Sequence, residues 1–221
     1  MAVIYGLLMR FLYCARAGDE TIELSGDSFA HLKAQRKRGG EIIRLQNLRE
    51  NIAYFYEISE IKRNSAKLVF AKKEELLAQN FWLKIGWAVC ESAVIEKSLP
   101  FLNELGVGEL LLFYADFSQK NVKLDFARFE RILASSCEQC GRNLSMSVRV
   151  CELSEIENAV LLDFGGDDFS TLGGDEILLI GAEGGWSDAE RAKFKRKIGL
   201  KSSCVLRAQT AIISAAAKIL A

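Results

Sequence analysis

The chain has 221 residues, enough for one large domain or a small domain followed by a medium one. Half the residues are apolar, so a sizeable core is available, but no apolar run reaches the length of a membrane-spanning helix. Lys plus Arg and Asp plus Glu balance at 29 each, which argues against a globally basic nucleic-acid binder and moves the question to where the charges lie.

The first residues, Ala2 to Met9, are apolar but short and lack a basic leader. They read as an extension (residues 1–8) ahead of a start at Met9 rather than as a signal peptide. Strands are expected at Arg10–Cys14, at Thr21–Leu24, along the alternating Ile52, Tyr54, Tyr56 and Ile58, and at Lys67–Ala71. Asp27–Arg38 is predicted as a helix capped by Asp27, with Phe29 and Leu32 on its apolar side and Gly39-Gly40 ending it. Short strands with one helix predict a small β-barrel over residues 1–71. The charged stretch 72–80 reads as a linker.

From residue 81 to 221 the pattern alternates between strand and helix. Strands are expected at Phe81–Cys90, Glu109–Tyr114, Ser145–Cys151, Ala159–Phe164 and Asp175–Ile180, with a last one ending at Val205-Leu206. Helices are expected up to Leu105, with Pro100 kinking or breaking the first, then at Asp125–Cys140, Ser187–Lys197 and Thr210–Leu220. Ser187 and Glu190 have capping-box spacing. Such alternation implies an α/β domain with a parallel sheet and right-handed crossovers.

Charge is blocked along the chain. From His31 to Arg49, six cations (Lys33, Arg36, Lys37, Arg38, Arg44 and Arg49) face one acid, Glu41. From Glu152 to Glu176 there are eight acids and no Lys or Arg. A basic block of this kind suits either phosphate binding or a solvated helix face. Five of the six cysteines read as small core residues. Cys137-Glu-Gln-Cys140 is a lone C-x-x-C without a second pair, and the single histidine, His31, is remote in sequence, so no metal site and a reducing cytoplasm are expected.

Parallel sheets bind ligands beyond the C-terminal ends of their strands. Gly181-Ala-Glu-Gly-Gly185 falls there, between an apolar strand and a capped helix. It carries neither the lysine of a phosphate-binding P-loop nor the glycine spacing of a dinucleotide fold. On glycine count alone, a tight turn explains it equally well. Leu206-Arg-Ala-Gln-Thr-Ala211 has the same placement, with Arg207 and Thr210 at a helix entrance where backbone amides are free.

Taken together and in this order, Leu179-Ile-Gly-Ala-Glu-Gly-Gly185, Ser187-Asp-Ala-Glu190 and Leu206-Arg-Ala-Gln-Thr-Ala211 resemble the ribosomal RNA small subunit methyltransferase E family of the SPOUT class. Glu138-Gln-Cys-Gly-Arg-Asn143, Glu104-Leu-Gly-Val107 and Met9-Arg-Phe-Leu-Tyr13 extend the resemblance over nearly the whole chain. It implies a PUA-like β-barrel that helps hold RNA, followed by an α/β trefoil-knot domain. It also implies a homodimer in the cytoplasm that uses S-adenosylmethionine to methylate N3 of a uridine near the 3′ end of 16S rRNA in the small ribosomal subunit, with no metal and no membrane.

On that resemblance, the cofactor would be held by Leu162, Ile180, Gly181, Glu183, Gly184, Gly185, Lys201, Leu206 and Thr210. Arg207 and Glu183 would act on the reacting base. Arg10, His31, Lys33, Arg36, Lys37, Arg38, Glu138, Gln139 and Arg142 would contact RNA. The chain departs from the family at Ala182, where the family has proline, and at Gln209, where it has glutamate. Phe101 stands in place of a lysine. Methylation of another RNA and a non-catalytic role in ribosome assembly remain as alternatives.

Overall fold

A computed structural model describes residues 11–220, so Arg10 and residues 1–9 lie outside the described residues. The chain divides into two units. One comprises residues 11–80 together with 134–145, the other residues 81–133 and 146–220. The single boundary expected over 72–80 therefore leaves out a remote segment that counts with the first unit.

The first unit is one five-stranded sheet with a helix. In chain order its elements are β1 (Leu12–Tyr13), β2 (Thr21–Ser25), α1 (Gly26–Ala34), β3 (Ile42–Gln46), β4 (Ile52–Ile61) and β5 (Ser65–Glu75). The strand order is β1-β3-β4-β5-β2, with β1 parallel to β3 and the other pairs antiparallel. In β2 exposed and buried residues alternate strictly, which directs Ile22 and Leu24 into the core with Phe29 and Leu32 of α1.

Three expectations change here. Ser25 takes the N-cap position of helix α1 without a side-chain cap bond, leaving Asp27 in the first turn, and the helix ends at Ala34 rather than at Gly39-Gly40. The stop is Arg36, whose φ of 56° is left-handed and whose N–H returns to the Lys33 carbonyl. Strand β5 runs through Glu75, into the expected linker, because Lys72–Glu75 pair with Ile52–Phe55 of β4. Strand β3 was not legible in the sequence, since Arg44 and Gln46 break its apolar pattern although Gln46 is fully buried.

The second unit is built on a six-stranded parallel sheet. Its elements are β6 (Lys84–Ala88), α2 (Ser92–Leu105), β7 (Glu109–Phe113), α3 (Phe126–Cys140, whose residues from 134 count with the first unit), β8 (Ser147–Val150), β9 (Ala159–Asp167), β10 (Ile177–Ile180), α4 (Asp188–Lys193), β11 (Lys197–Ile198) and α5 (Ala208–Leu220). The strand order is β11-β9-β10-β6-β7-β8. The chain winds outward through β6, β7 and β8, then crosses to the far side of β6, where β10 lies between β9 and β6. This reversal is where ligands collect in open α/β sheets. Leu178, Leu179 and Ile180 are buried on both faces of the sheet, which accounts for the unbroken apolar run of β10.

Helix α2 continues through Pro100 without a break. Its Ile95, Leu99 and Leu102 are fully buried, and that packing outweighs the lost hydrogen bond of an interior proline. Helix α4 stops at Lys193, earlier than expected. Phe194 leaves the helix, its ring 6.4 Å from that of Trp186, and the chain enters β11. The strand expected at Val205-Leu206 does not form: Val205 is exposed, and the last strand of the sheet is β11. Gly166 explains how two residues of β11 dock there. A Cβ at Gly166 would lie 2.4 Å from the Ile198 carbonyl carbon, so only glycine lets the end of β9 approach β11 this closely.

No helix among the described residues is long and apolar enough to cross a membrane, and no disulfide links the described cysteines. Cys204 is exposed rather than part of the core.

Candidate functional site

The ends of β9 and β10, the turn that follows β10 and the irregular stretch before α5 enclose one cavity of about 220 Å³. Gly181–Gly185 forms its floor. The Gly185 N–H donates to the Ala182 carbonyl at 2.8 Å, closing a four-residue turn, and Gly185 has a φ of 75° that a branched side chain would strain. The amides of Glu183 and Gly184 meet no acceptor among the described residues and remain available to a ligand.

One wall is Trp186, which stacks on Phe113 with rings 6.1 Å apart and donates its Nε1–H to the Leu162 carbonyl at 3.1 Å. Another is the ion pair between Arg191 Nε and Asp163 at 2.9 Å. Burial works to raise the Asp163 carboxyl. The Arg191 hydrogen bond, the Phe164 amide and the charges of Arg191 and Lys197 outweigh it, so this group titrates below the ordinary aspartate range.

The capping box expected at Ser187 forms in full and also fixes a neighbouring loop. Glu190 is buried. Its carboxylate accepts from the Ser187 N–H at 3.0 Å and from the Asp116 N–H at 2.9 Å, while the Ser187 hydroxyl donates to the Asp116 carboxylate. Phe117 is thereby brought against the turn, where a Cβ on Gly184 would lie 3.2 Å from the Phe117 Cβ.

Seven of the residues expected around a cofactor come together in this lining: Leu162, Ile180, Gly181, Glu183, Gly184, Gly185 and Leu206. The other two, Lys201 and Thr210, do not line it, and neither does Arg207, expected to act on the reacting base. Lys201 is exposed and pairs with Asp168 at 3.3 Å. Thr210 is exposed on the first turn of α5. Arg207 is exposed at the entrance of α5, between lining residues Leu206 and Ala208, and its carbonyl accepts from the Ala211 N–H. Sequence reasoning missed Trp186, Phe164 and the Asp163–Arg191 pair. The tryptophan directly after the glycine turn was the one available signal.

In the first unit, the expected RNA contacts divide by exposure. His31, Arg36, Arg38 and Gln139 are exposed. Lys33 donates to the Arg63 carbonyl at 2.9 Å and lies over the Phe29 ring, and Lys37 pairs with Glu41 at 3.1 Å. Glu138 is half-buried and accepts the Tyr13 N–H at 2.6 Å. Arg142 does not fit a phosphate contact. It is 3% exposed, burial pushes its guanidinium down to about 10, and its Nε–H bonds the Leu144 carbonyl, so it braces the loop after α3.

Residues 78–220 match the RNA methyltransferase domain family. The chain is 40% identical to the ribosomal RNA small subunit methyltransferase E of Helicobacter pylori (strain ATCC 700392 / 26695) over 201 residues, covering 86% of this chain and 88% of that protein. Its fold is similar to that of Lpg2936 from Legionella pneumophila in complex with the cofactor S-adenosylmethionine, with a TM-score of 0.77 at 25% identity and coverage of 95% and 97%. It is also similar in fold to a ribosomal RNA small subunit methyltransferase E from Neisseria gonorrhoeae bound to S-adenosylmethionine, with a TM-score of 0.76 at 20% identity and coverage of 95% of each chain.

Proposed function

This chain belongs to the ribosomal RNA small subunit methyltransferase E family of RNA methyltransferases, and we propose that it transfers the methyl group of S-adenosylmethionine to N3 of one uridine near the 3′ end of 16S rRNA. The observation that carries this reading is the glycine-floored cavity at the C-terminal ends of β9 and β10.

The chemistry of the lining fits the donor. Leu162, Ile180, Leu206 and Ala208 offer apolar surface to a flat heterocycle, and the Glu183 and Gly184 amides offer donors to its polar groups. When bound, the donor supplies an electrophilic methyl group on a positively charged sulfur.

The chain's own residues have two tasks. Uracil N3 carries a proton at neutral pH and attacks only once that proton leaves. Glu183, a carboxylate on the exposed edge of the turn, is the proposed acceptor. Loss of the proton spreads negative charge onto O2 and O4, and the exposed Arg207 guanidinium beside the lining is the proposed cation for those oxygens. Gln209, two residues on from Arg207, keeps a hydrogen-bonding side chain but cannot do acid–base work.

The same reading includes a trefoil knot in the second unit. It also includes a PUA-like role for the first unit and a cytoplasmic homodimer. The exposed Phe164 and Val205 at the cavity give a second copy apolar surface to cover. Mass spectrometry of small-subunit rRNA from cells lacking the protein tests the function. One 3-methyluridine is expected to disappear, and its persistence at full level would contradict the reading.

A further inference from the structure

The first unit holds a second cavity, of about 510 Å³, between α1 and the last turns of α3. That volume falls within the roughly 300–1,000 Å³ of small-ligand sites. The methyl-transfer chemistry does not use it. Phe11 gives it an apolar floor, and His31, Gln35, Ser135, Glu138 and Gln139 give it polar walls.

The polar groups are unevenly engaged. Glu138 Oε1 accepts the Tyr13 amide at 2.6 Å, and among the described residues no other hydrogen bond or ion pair engages that carboxylate. The side chains of His31, Gln35, Ser135 and Gln139 form none with described residues. Burial raises the Glu138 carboxyl, against the Tyr13 hydrogen bond and the facing charge of His31, so a carboxylate here is short of donors.

We propose that this cavity is a base-reading subsite for RNA, taking one unstacked adenine or cytosine and rejecting uracil. The inference rests on the RNA methyltransferase reading for its ligand class, but it concerns a base other than the methylated one. Unstacked bases are read on their Watson–Crick edges. Adenine and cytosine present an amino donor beside a ring-nitrogen acceptor. The free Glu138 oxygen takes the amino hydrogen, and the Gln139 amide donates to the ring nitrogen. Held in the same register, uracil presents the reverse order, a carbonyl oxygen where the amino group would sit and N3–H beside it, which sets an oxygen against the Glu138 carboxylate. The subsite would add sequence preference to the sequence-blind phosphate attraction of Arg36 and Arg38.

The test is fluorescence-anisotropy binding of labelled oligoadenylate, oligocytidylate and oligouridylate to the full chain without methyl donor. Wild type is expected to bind the adenine and cytosine oligomers about tenfold more tightly than the uracil oligomer, the scale of one good base contact. Glu138→Gln keeps an oxygen for the Tyr13 amide but turns an NH₂ group toward the base, so the preference is expected to fall to about twofold or to reverse. Gln139→Ala, at an exposed position that leaves the fold intact, is expected to halve the preference at least. Equal binding of all three oligomers by wild type, or an unchanged preference in Gln139→Ala or in a folded Glu138→Gln, would overturn the proposal. Methyl transfer to small-subunit rRNA by wild type is measured separately. Its absence would remove the functional reading and leave a measured base preference standing.

Discussion

The two sheets bury their strands differently, and the difference decides where each unit can hold a ligand. The parallel sheet is covered on both faces, so β6, β7 and β10 are nearly continuous apolar runs and polar chemistry is displaced to the loops at one end. At the centre of those loops, the turn 181–185 and the cap at Ser187 are neighbours in sequence as well as in space. The five-stranded sheet alternates, with β2 and much of β4 showing one face to solvent. Its cavity lies where α1 and the residue before β1 meet a segment about a hundred residues after α1. One unit centres its site on a turn next to a strand and completes it with segments 162–164 and 200–211; the other joins one helix to a segment about a hundred residues away.

The largest expected effect that separates the units is at Trp186. Trp186→Ala removes the stack on Phe113 and a wall of the glycine-floored cavity. It should cost about 3–5 kcal/mol by chemical denaturation and abolish donor binding by calorimetry. Tyr56→Phe is the counterpart in the first unit. The Tyr56 hydroxyl accepts from the Gly18 N–H at 2.8 Å and donates to the Asp19 carbonyl at 2.7 Å, so its loss should cost about 1–3 kcal/mol while leaving donor affinity unchanged. A matching loss of donor affinity in Tyr56→Phe would erase the distinction.

An acid titration gives a smaller effect. The folded Asp163 carboxyl titrates below its unfolded value of about 4, so its pairing with Arg191 stabilises fully above that value and is lost as pH falls through the folded one. Melting temperature followed from pH 6 down to pH 2 should fall along this limb, and Asp163→Asn should be less stable at pH 6 and flatter below pH 4. The smallest effect on stability belongs to the first unit's surface. Arg36→Ala with Arg38→Ala should change stability by less than about 0.5 kcal/mol each. The same pair should lower the slope of log affinity for RNA against log salt by about 1–2.

The same contrast explains what was legible in the sequence. Strand β10, the turn after it and the Ser187–Glu190 cap are local patterns, and they form where the spacing places them. Pro100 misled because tertiary burial of α2 overrides a local preference. Val205-Leu206 misled because two apolar residues suggested a strand, whereas β11 is too short to leave a periodic signal and depends on the bare backbone of Gly166. Arg142 looked like a surface cation because sequence shows charge but not burial. The meeting of His31 with Glu138 and Gln139 in one cavity depends on segment 134–145 counting with the first unit, which no local pattern encodes.

The central claim is that the glycine-floored cavity holds the methyl donor. Titration calorimetry of S-adenosylmethionine into wild type and into Gly185→Val tests it most directly, because Gly185 has a φ of 75° that valine cannot adopt without strain. Saturable one-site binding by wild type, lost in a Gly185→Val protein that still melts cooperatively, is the predicted result. Equal binding by both proteins, or no binding by wild type, would contradict it.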